Sequence, residues 1–174
     1  MNPKLYWIDG PWPGKLAISA RPRGGDWLED DISGWQSAGV GAVVSLLTPQ
    51  ENEDLQLSEE SRLARSHGLR FVSLPTEDRG VPPSWEDASR AIAKAMEMLL
   101  RGKNVAVHCR QGIGRSGILA AALLIKSGST PGDALIQISG ARGVSVPETS
   151  EQMAWIQEFS QRETPSAVTR ASAK

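Results

Sequence analysis

The chain has one cysteine, Cys109, and two histidines among 174 residues. A lone thiol closes no internal disulfide, so the fold must stand on its core, and such usage fits a reducing, cytoplasmic setting. Long apolar runs are missing too. The longest, Ile118 to Ile125, falls far short of the roughly 20 residues that span a bilayer, and Met1 to Asp9 lacks the extended apolar region of a signal peptide. No membrane insertion is therefore expected. Neither charge is in excess: 19 Lys and Arg stand against 20 Asp and Glu. Without a molecule-wide field to draw it to nucleic acid or anionic lipid, the chain has nucleic acid as no expected partner, and any anion site must be local. Repeats, linkers and low-complexity blocks are absent up to the last dozen residues. One domain over residues 1–162 with a short tail over 163–174 is the expected organisation.

What is present is the make-up of an ordinary globular domain, 40% hydrophobic and 22% charged. Leu5–Ile8 and Leu16–Ser19 read as short strands separated by a Gly and Pro turn cluster, Gly10–Gly14. Trp27, Leu28, Asp31, Ile32 and Trp35 fall at helical spacing, which predicts a short amphipathic helix with both tryptophans in the core. Val40–Leu47 reads as a buried strand, Ser58–His67 as a helix ended by Gly68, and Leu69–Leu74 as a strand. Ser84–Asp87 opens a helix with an apolar stripe of Ala88, Ile92, Ala95, Met96 and Leu99, stopped at Gly102. Asn104–His108 is a further strand. Three helices follow: one opening at Ser116, one capped by Thr130–Asp133, and one from near Pro147 with Met153, Ile156 and Phe159 inward. Strands alternating with helices predict an α/β fold, a mainly parallel central sheet with helices on both faces. In such sheets ligands gather beyond the carboxyl ends of the strands. Cys109 falls at that edge.

The stretch Val105-Ala-Val-His-Cys-Arg-Gln-Gly-Ile-Gly-Arg-Ser-Gly117 sets the cysteine between a strand and a glycine-bearing loop that runs into a helix. Gly112 and Gly114 free the backbone of residues 110 to 115, so that successive N–H groups can converge on one anion. The helix that follows adds its positive end at the same point. Partial positive charge around the sulfur, with Arg115 close by, favours the nucleophilic thiolate. The Arg115 guanidinium also matches two phosphate oxygens at once, which lysine cannot. Gly112 to Gly117 satisfies the dinucleotide pattern G-x-G-x-x-G, but the acidic residue that pattern needs on a second strand is missing; the corresponding region is the loop Lys126–Asp133. As mere packing, His-Cys-x5-Arg-Ser would arise by chance on the order of once in a few thousand chains of this length at average residue frequencies.

His108 to Ser116 resembles the signature loop of the cysteine-dependent protein tyrosine phosphatase superfamily, Cys-x5-Arg-Ser/Thr. Chain length, and Pro75-Thr-Glu-Asp-Arg-Gly-Val-Pro82 with its Asp-x-Gly-x-Pro, resemble the small dual-specificity branch of the kinase-associated phosphatase type, over about Leu16 to Phe159. The resemblance implies the phosphatase-like α/β fold and hydrolysis of phosphate monoesters in two steps. Cys109 would be the nucleophile. Arg115 and the loop Arg110, Gln111, Gly112, Ile113 and Gly114 would bind the phosphoryl group. Asp78 would be general acid and then base, with Glu77 as the fallback, and Ser116 would hydrogen-bond the departing thiolate unless it only caps the helix. The family also implies that His108 braces the loop. Gln152 lies where a glutamine can place water, though a solvated helix face is the plainer reading. Trp85, just after the acid loop, is a candidate to move with it. Neither His108 nor His67 has neighbours at metal-ligand spacing, and neither metal nor cofactor is expected.

Nothing matches the aromatic recognition loop of the longer tyrosine-specific enzymes, which points to a shallower cleft and to phosphorylated protein or peptide, on tyrosine and on serine or threonine, as substrate. The loop lacks the lysines usual in lipid-directed relatives, and there is no basic track for an RNA 5′-phosphate or a nucleotide. A catalytically dead phosphate-binding module and a rhodanese-like sulfur transferase are the alternatives from other classes; the first would lack Cys109 or Asp78, the second would not need Asp78.

Overall fold

The computed structural model describes residues 3–164. Five strands form one sheet: β1 (Tyr6–Ile8), β2 (Leu16–Ala20), β3 (Val40–Ser45), β4 (Arg70–Ser73) and β5 (Asn104–Cys109), in the order β1-β2-β5-β3-β4. Only β1 runs antiparallel to its neighbour; β2, β5, β3 and β4 are mutually parallel. The helices are α1 (Leu28–Ser37), α2 (Pro49–Asp54), α3 (Glu60–Ser66), α4 (Trp85–Leu100), α5 (Gly114–Lys126), α6 (Pro131–Arg142) and α7 (Ser150–Glu163), with a short 3₁₀ turn at Gly25–Trp27 before α1. The expected mainly parallel sheet with helices on both faces is what the chain builds. From residue 165 onward the expected tail lies outside the described residues.

Alternation on the central strand decides which side chain meets which layer. Val105, Val107 and Cys109 of β5 belong to the large core shared with α4, α5, α6 and α7, whereas Ala106 joins Trp35, Val40, Val43, Ala64 and Leu69 on the side of α1 and α3. His108 therefore faces α1 and α3, away from its neighbour Cys109. Because Gly114 to Ile125 are buried on every side, α5 is apolar all round and forms the spine of the larger layer.

Local sequence signals account for most boundaries. The Ser84, Thr130 and Thr149 side chains accept the N–H groups of Asp87, Asp133 and Gln152, capping α4, α6 and α7. Helix α2 is too short to show an apolar stripe and was not expected from the sequence. Its start, Thr48-Pro-Gln-Glu51, carries a full capping box: the Glu51 amide donates to Thr48 Oγ1 and the Thr48 amide to Glu51 Oε2. Thr48-Pro-x-Glu51 has the form that located α6, and was the available signal. Helix α5 starts at Gly114, with Ile113 in the N-cap position, so Ser116 lies inside its first turn and is not its cap.

Two expected core residues are not core. Trp27 is 57% exposed and lies against the Arg23 guanidinium, 4.8 Å from ring centre to carbon, because it ends the 3₁₀ turn rather than continuing the phase of α1. Met153 is half exposed, while Ile156 and Phe159 on the same helix are buried as expected.

Candidate active site

Parallel pairing sets the carboxyl ends of β2, β5 and β3 side by side, with Ala20 opposite Cys109 and Ser45 opposite His108. The chain leaving β4 crosses this edge, tied down by Leu74 N–H to Ser45 O at 2.9 Å and Thr76 N–H to Leu46 O at 3.2 Å. Asp78 is thereby carried over the end of β5. A cleft opens there, lined by Cys109, Arg110, Gln111 and Arg115 of the signature loop, by Asp78 and Arg79 of the loop after β4, and by Glu148. Three of the four residues expected to do chemistry, Cys109, Arg115 and Asp78, thus line one cleft, and the fourth, Ser116, lies beside the Cys109 sulfur.

Gly112 shows why the loop takes this path. Its φ is +68°, and a Cβ there would lie 2.4 Å from Ser19 O, a backbone atom that cannot move aside. Gly112→Ala is expected to cost about 2–4 kcal/mol, seen as a lower urea-unfolding midpoint. An unchanged midpoint would mean that the turn is not so constrained. At Gly114 a Cβ would meet Glu148 Oε2 and the Gln152 amide, so the helix start is packed tightly under α7.

Cys109 Sγ is 3.4 Å from Ser116 Oγ, and the thiol side chain is buried at the floor of the cleft. Arg115, 2% exposed, is held on both arms. Its Nη1 donates to Glu51 Oε2 at 2.7 Å and to Thr76 O at 2.8 Å, and its Nη2 donates to Glu51 Oε1 at 3.0 Å and to Asp78 Oδ1 at 3.0 Å. Burial works against the charge of Arg115, but the Glu51 hydrogen bonds and the charges of Cys109, Glu51 and Asp78 outweigh it and hold the guanidinium protonated beyond its ordinary range. For Glu51 burial pushes upward, yet the Arg115 and Thr48 hydrogen bonds and the nearby arginines win and keep the carboxyl below the usual carboxylate range.

Sequence reasoning missed Glu51, although it is the principal anchor of Arg115. A depressed acid stabilises the fold above its unfolded pKa, and that contribution is lost as pH falls through the folded value. Glu51→Gln is therefore expected to lower stability at neutral pH by about 1–3 kcal/mol, the range for one partner of a charged hydrogen bond, and to shrink toward no effect in acid. A loss equal at pH 7 and below the carboxylate range would contradict it.

Further side chains complete the loop. Arg142, at the end of α6, donates from Nε to Gly112 O at 2.8 Å and from Nη2 to Gln111 O at 3.0 Å, with Tyr6 stacked on its guanidinium. Nothing local in the sequence marks it. Gln152 is fully buried and not on a solvated face: its Nε2 donates to Gly80 O at 3.1 Å and its Oε1 accepts the Glu148 N–H at 3.0 Å. Both ends of its amide are engaged, so it links the loop after β4 to α7. Trp85 stacks on Trp155, centroids 4.8 Å apart, and Trp155 on Phe159, so it is held by α7. His108 Nδ1 faces Cys109 O at 3.4 Å. Glu77 is exposed and is not among the cleft residues. Among the described residues no cluster of His, Cys, Asp and Glu could hold a metal ion, and no helix is long and apolar enough to cross a membrane.

Comparison with known proteins places this geometry in a class. Tk-PTP in its active form superposes with a TM-score of 0.75 at 28% identity, over 93% of this chain and 99% of that one. The kinase associated phosphatase, with its catalytic cysteine replaced by serine, superposes with a TM-score of 0.84 at 18% identity, over 94% of this chain and 97% of that one. In sequence, the Arabidopsis thaliana phosphatidylglycerophosphate phosphatase PTPMT2 is 28% identical over 136 residues, 78% of this chain and 57% of that protein. The protein tyrosine phosphatase domain-containing protein 1 of Bos taurus is 26% identical over 138 residues, 75% of this chain and 17% of that protein. This chain thus spans little over half of the first relative and a small part of the second. Fold and relatives define a cysteine-dependent phosphatase of the small dual-specificity type. More closely, residues 19–129 match the family described as "Polymorphic toxin system, DSP-PTPase phosphatase", and the chain belongs to it.

Proposed function

We propose that the protein hydrolyses phosphate monoesters on phosphorylated proteins, on tyrosine and on serine or threonine, through a cysteinyl-phosphate intermediate. The observation that carries the reading is the meeting of Cys109, Arg115 and Asp78 at one cleft on the carboxyl edge of the sheet. In the first step the Cys109 sulfur attacks phosphorus, the P–O bond to the leaving group breaks, and Asp78 gives that oxygen its proton. Arg115 and the amides of residues 110 to 115 hold the three equatorial oxygens while their charge redistributes. In the second step water attacks phosphorus, Asp78 takes the water proton, the P–S bond breaks, and the Ser116 hydroxyl donates to the released thiolate from its place 3.4 Å away. His108 braces the loop through the Cys109 carbonyl. No cofactor enters.

The protein-substrate reading is supported by a mixed rim, in which Arg79 and Arg110 stand beside Asp78 and Glu148. A second reading, a lipid phosphate monoester, is favoured by the likeness to a phosphatidylglycerophosphate phosphatase. The reading is tested with p-nitrophenyl phosphate in excess chelator, followed by a panel of phosphotyrosine and phosphoserine peptides, phosphoinositides and phosphatidylglycerophosphate. Metal-independent turnover with kcat/KM highest on phosphopeptides is expected. A preference for the lipids would move the substrate to the second reading; phosphopeptide binding with no turnover at all would sink both.

A further inference from the structure

Behind the signature loop, on the opposite face of β5, lies a group of polar atoms that the proposed chemistry leaves unused. His108 is fully buried and Glu60, the first residue of α3, is 2% exposed. Glu60 Oε1 and His108 Nε2 are 2.8 Å apart, although the approach is not aligned as a hydrogen bond and neither Glu60 oxygen has another partner. Ser19 Oγ, Ser45 Oγ and Trp35 Nε1 are also buried without partners. Ser19 and Ser45 flank His108 in register on the neighbouring strands, and the Trp35 ring is 5.7 Å from the imidazole. The other acids on the two helices of this layer are either paired or in water: Asp31 with Arg23, Glu29 with His67, Glu59 with Arg62, and Asp30 exposed. Arg65 is exposed as well. Among the described residues Glu60 and His108 therefore have only each other as charged partners.

The chemistry of the ring orders this pair. The Cys109 carbonyl can only accept, so Nδ1 must carry a proton toward it. At 2.8 Å from Nε2, Glu60 Oε1 is in contact with the far side of the ring, and the buried carboxyl is not left without a charged neighbour. In a trans peptide the carbonyl and the following N–H point in opposite directions. Drawing the Cys109 carbonyl back toward His108 thus turns the Arg110 N–H outward, toward the space where phosphate oxygens bind.

We propose that Glu60 is a positioning residue: by gripping His108 at Nε2 it fixes the Cys109 carbonyl and, through that peptide, aims the first amide of the phosphate cradle. The inference rests on the reading of Cys109 as nucleophile. It differs from the brace described above in giving the histidine its own anchor, on an element 40 or more residues earlier in the chain.

With only two histidines in the chain, selective ¹⁵N-histidine labelling gives two ring systems, and His67→Gln assigns them. The wild type is expected to show a His108 Nδ1 proton protected from exchange. Glu60→Ala is expected to abolish that protection, to lower kcat on p-nitrophenyl phosphate roughly 10–100-fold, as for partners that orient ligating histidines, and to weaken vanadate binding by a similar factor with KM little changed. Glu60→Gln, whose amide can donate to Nε2, should recover most of each. Unchanged kcat in Glu60→Ala overturns the proposal, as does a glutamine variant no better than alanine. Should Glu60→Ala fail to fold, the wild-type spectrum still decides, since an unprotonated Nδ1 refutes the arrangement. The ring signature is independent of turnover, so a wrong nucleophile would show as activity in Cys109→Ser with the signature intact.

Discussion

Cys109→Ser is expected to lower kcat on p-nitrophenyl phosphate by on the order of 10⁵-fold or more, the scale on which a covalent nucleophile is lost. The size follows from what surrounds the sulfur. A thiol ionises readily and then needs no base, whereas an alcohol must surrender a tightly held proton as it attacks. The hydrogen-bonding neighbour of Cys109 is Ser116 Oγ, itself a hydroxyl, and the cation nearby, Arg115, cannot accept a proton. Neither of these neighbours gives the serine variant a base. The phosphate cradle keeps its other parts, so inorganic phosphate should still bind by calorimetry with affinity within about tenfold of wild type. Turnover that survives the substitution would remove Cys109 from the reaction; phosphate binding lost along with it would mean that the sulfur shapes the loop as well.

The second large effect is at Asp78. Asp78→Ala is expected to reduce kcat by roughly 10²–10⁴-fold, the usual worth of a positioned proton donor. The loss should depend on the ester. A p-nitrophenolate leaves with little help, so its hydrolysis should fall least, while phenyl and alkyl phosphates should fall most and give a steep plot of log kcat against leaving-group pKa. Equal losses across that series would show that Asp78 serves another purpose. The ion pair with Arg115, Oδ1 to Nη2 at 3.0 Å, supplies the alternative: an aspartate that only helps to hold the arginine. The two roles separate in the variant Asp78→Asn, which retains a hydrogen bond to Arg115 but cannot donate an acidic proton. It should resemble alanine in its leaving-group dependence.

Much of the fold is legible because its signals are local. Caps at Ser84 and Thr130 and the apolar runs of β3 and β5 each sit within a few residues of what they determine. The signature loop is legible for the same reason, since strand, glycines, arginine and helix follow one another without a gap. What escaped reading comes from a distance. Glu51 reaches Arg115 from 64 residues away and Arg142 reaches Gly112 from 30; Gln152 stands out in the sequence, but its partner Gly80 lies 72 residues away. No periodicity within α2, α6 or α7 marks one polar residue among several as the inward one; the packing of helix against loop does that. Trp27 fails for a subtler reason. Its place in the apolar pattern is right, but the backbone before Leu28 winds as a 3₁₀ turn, which rotates the side chain out of the stripe.

The Gln152 amide spans two segments, and Thr149 adds a second tie, its hydroxyl donating to Arg79 O at 3.4 Å. The loop that carries Asp78 is therefore moored to α7 on one side while Thr76 and Leu74 fasten it to the sheet on the other. Moorings at both ends hold Asp78 over the cleft. They also make α7 a stakeholder in where Asp78 sits: fraying of that helix would slacken the loop before it disturbed the cysteine.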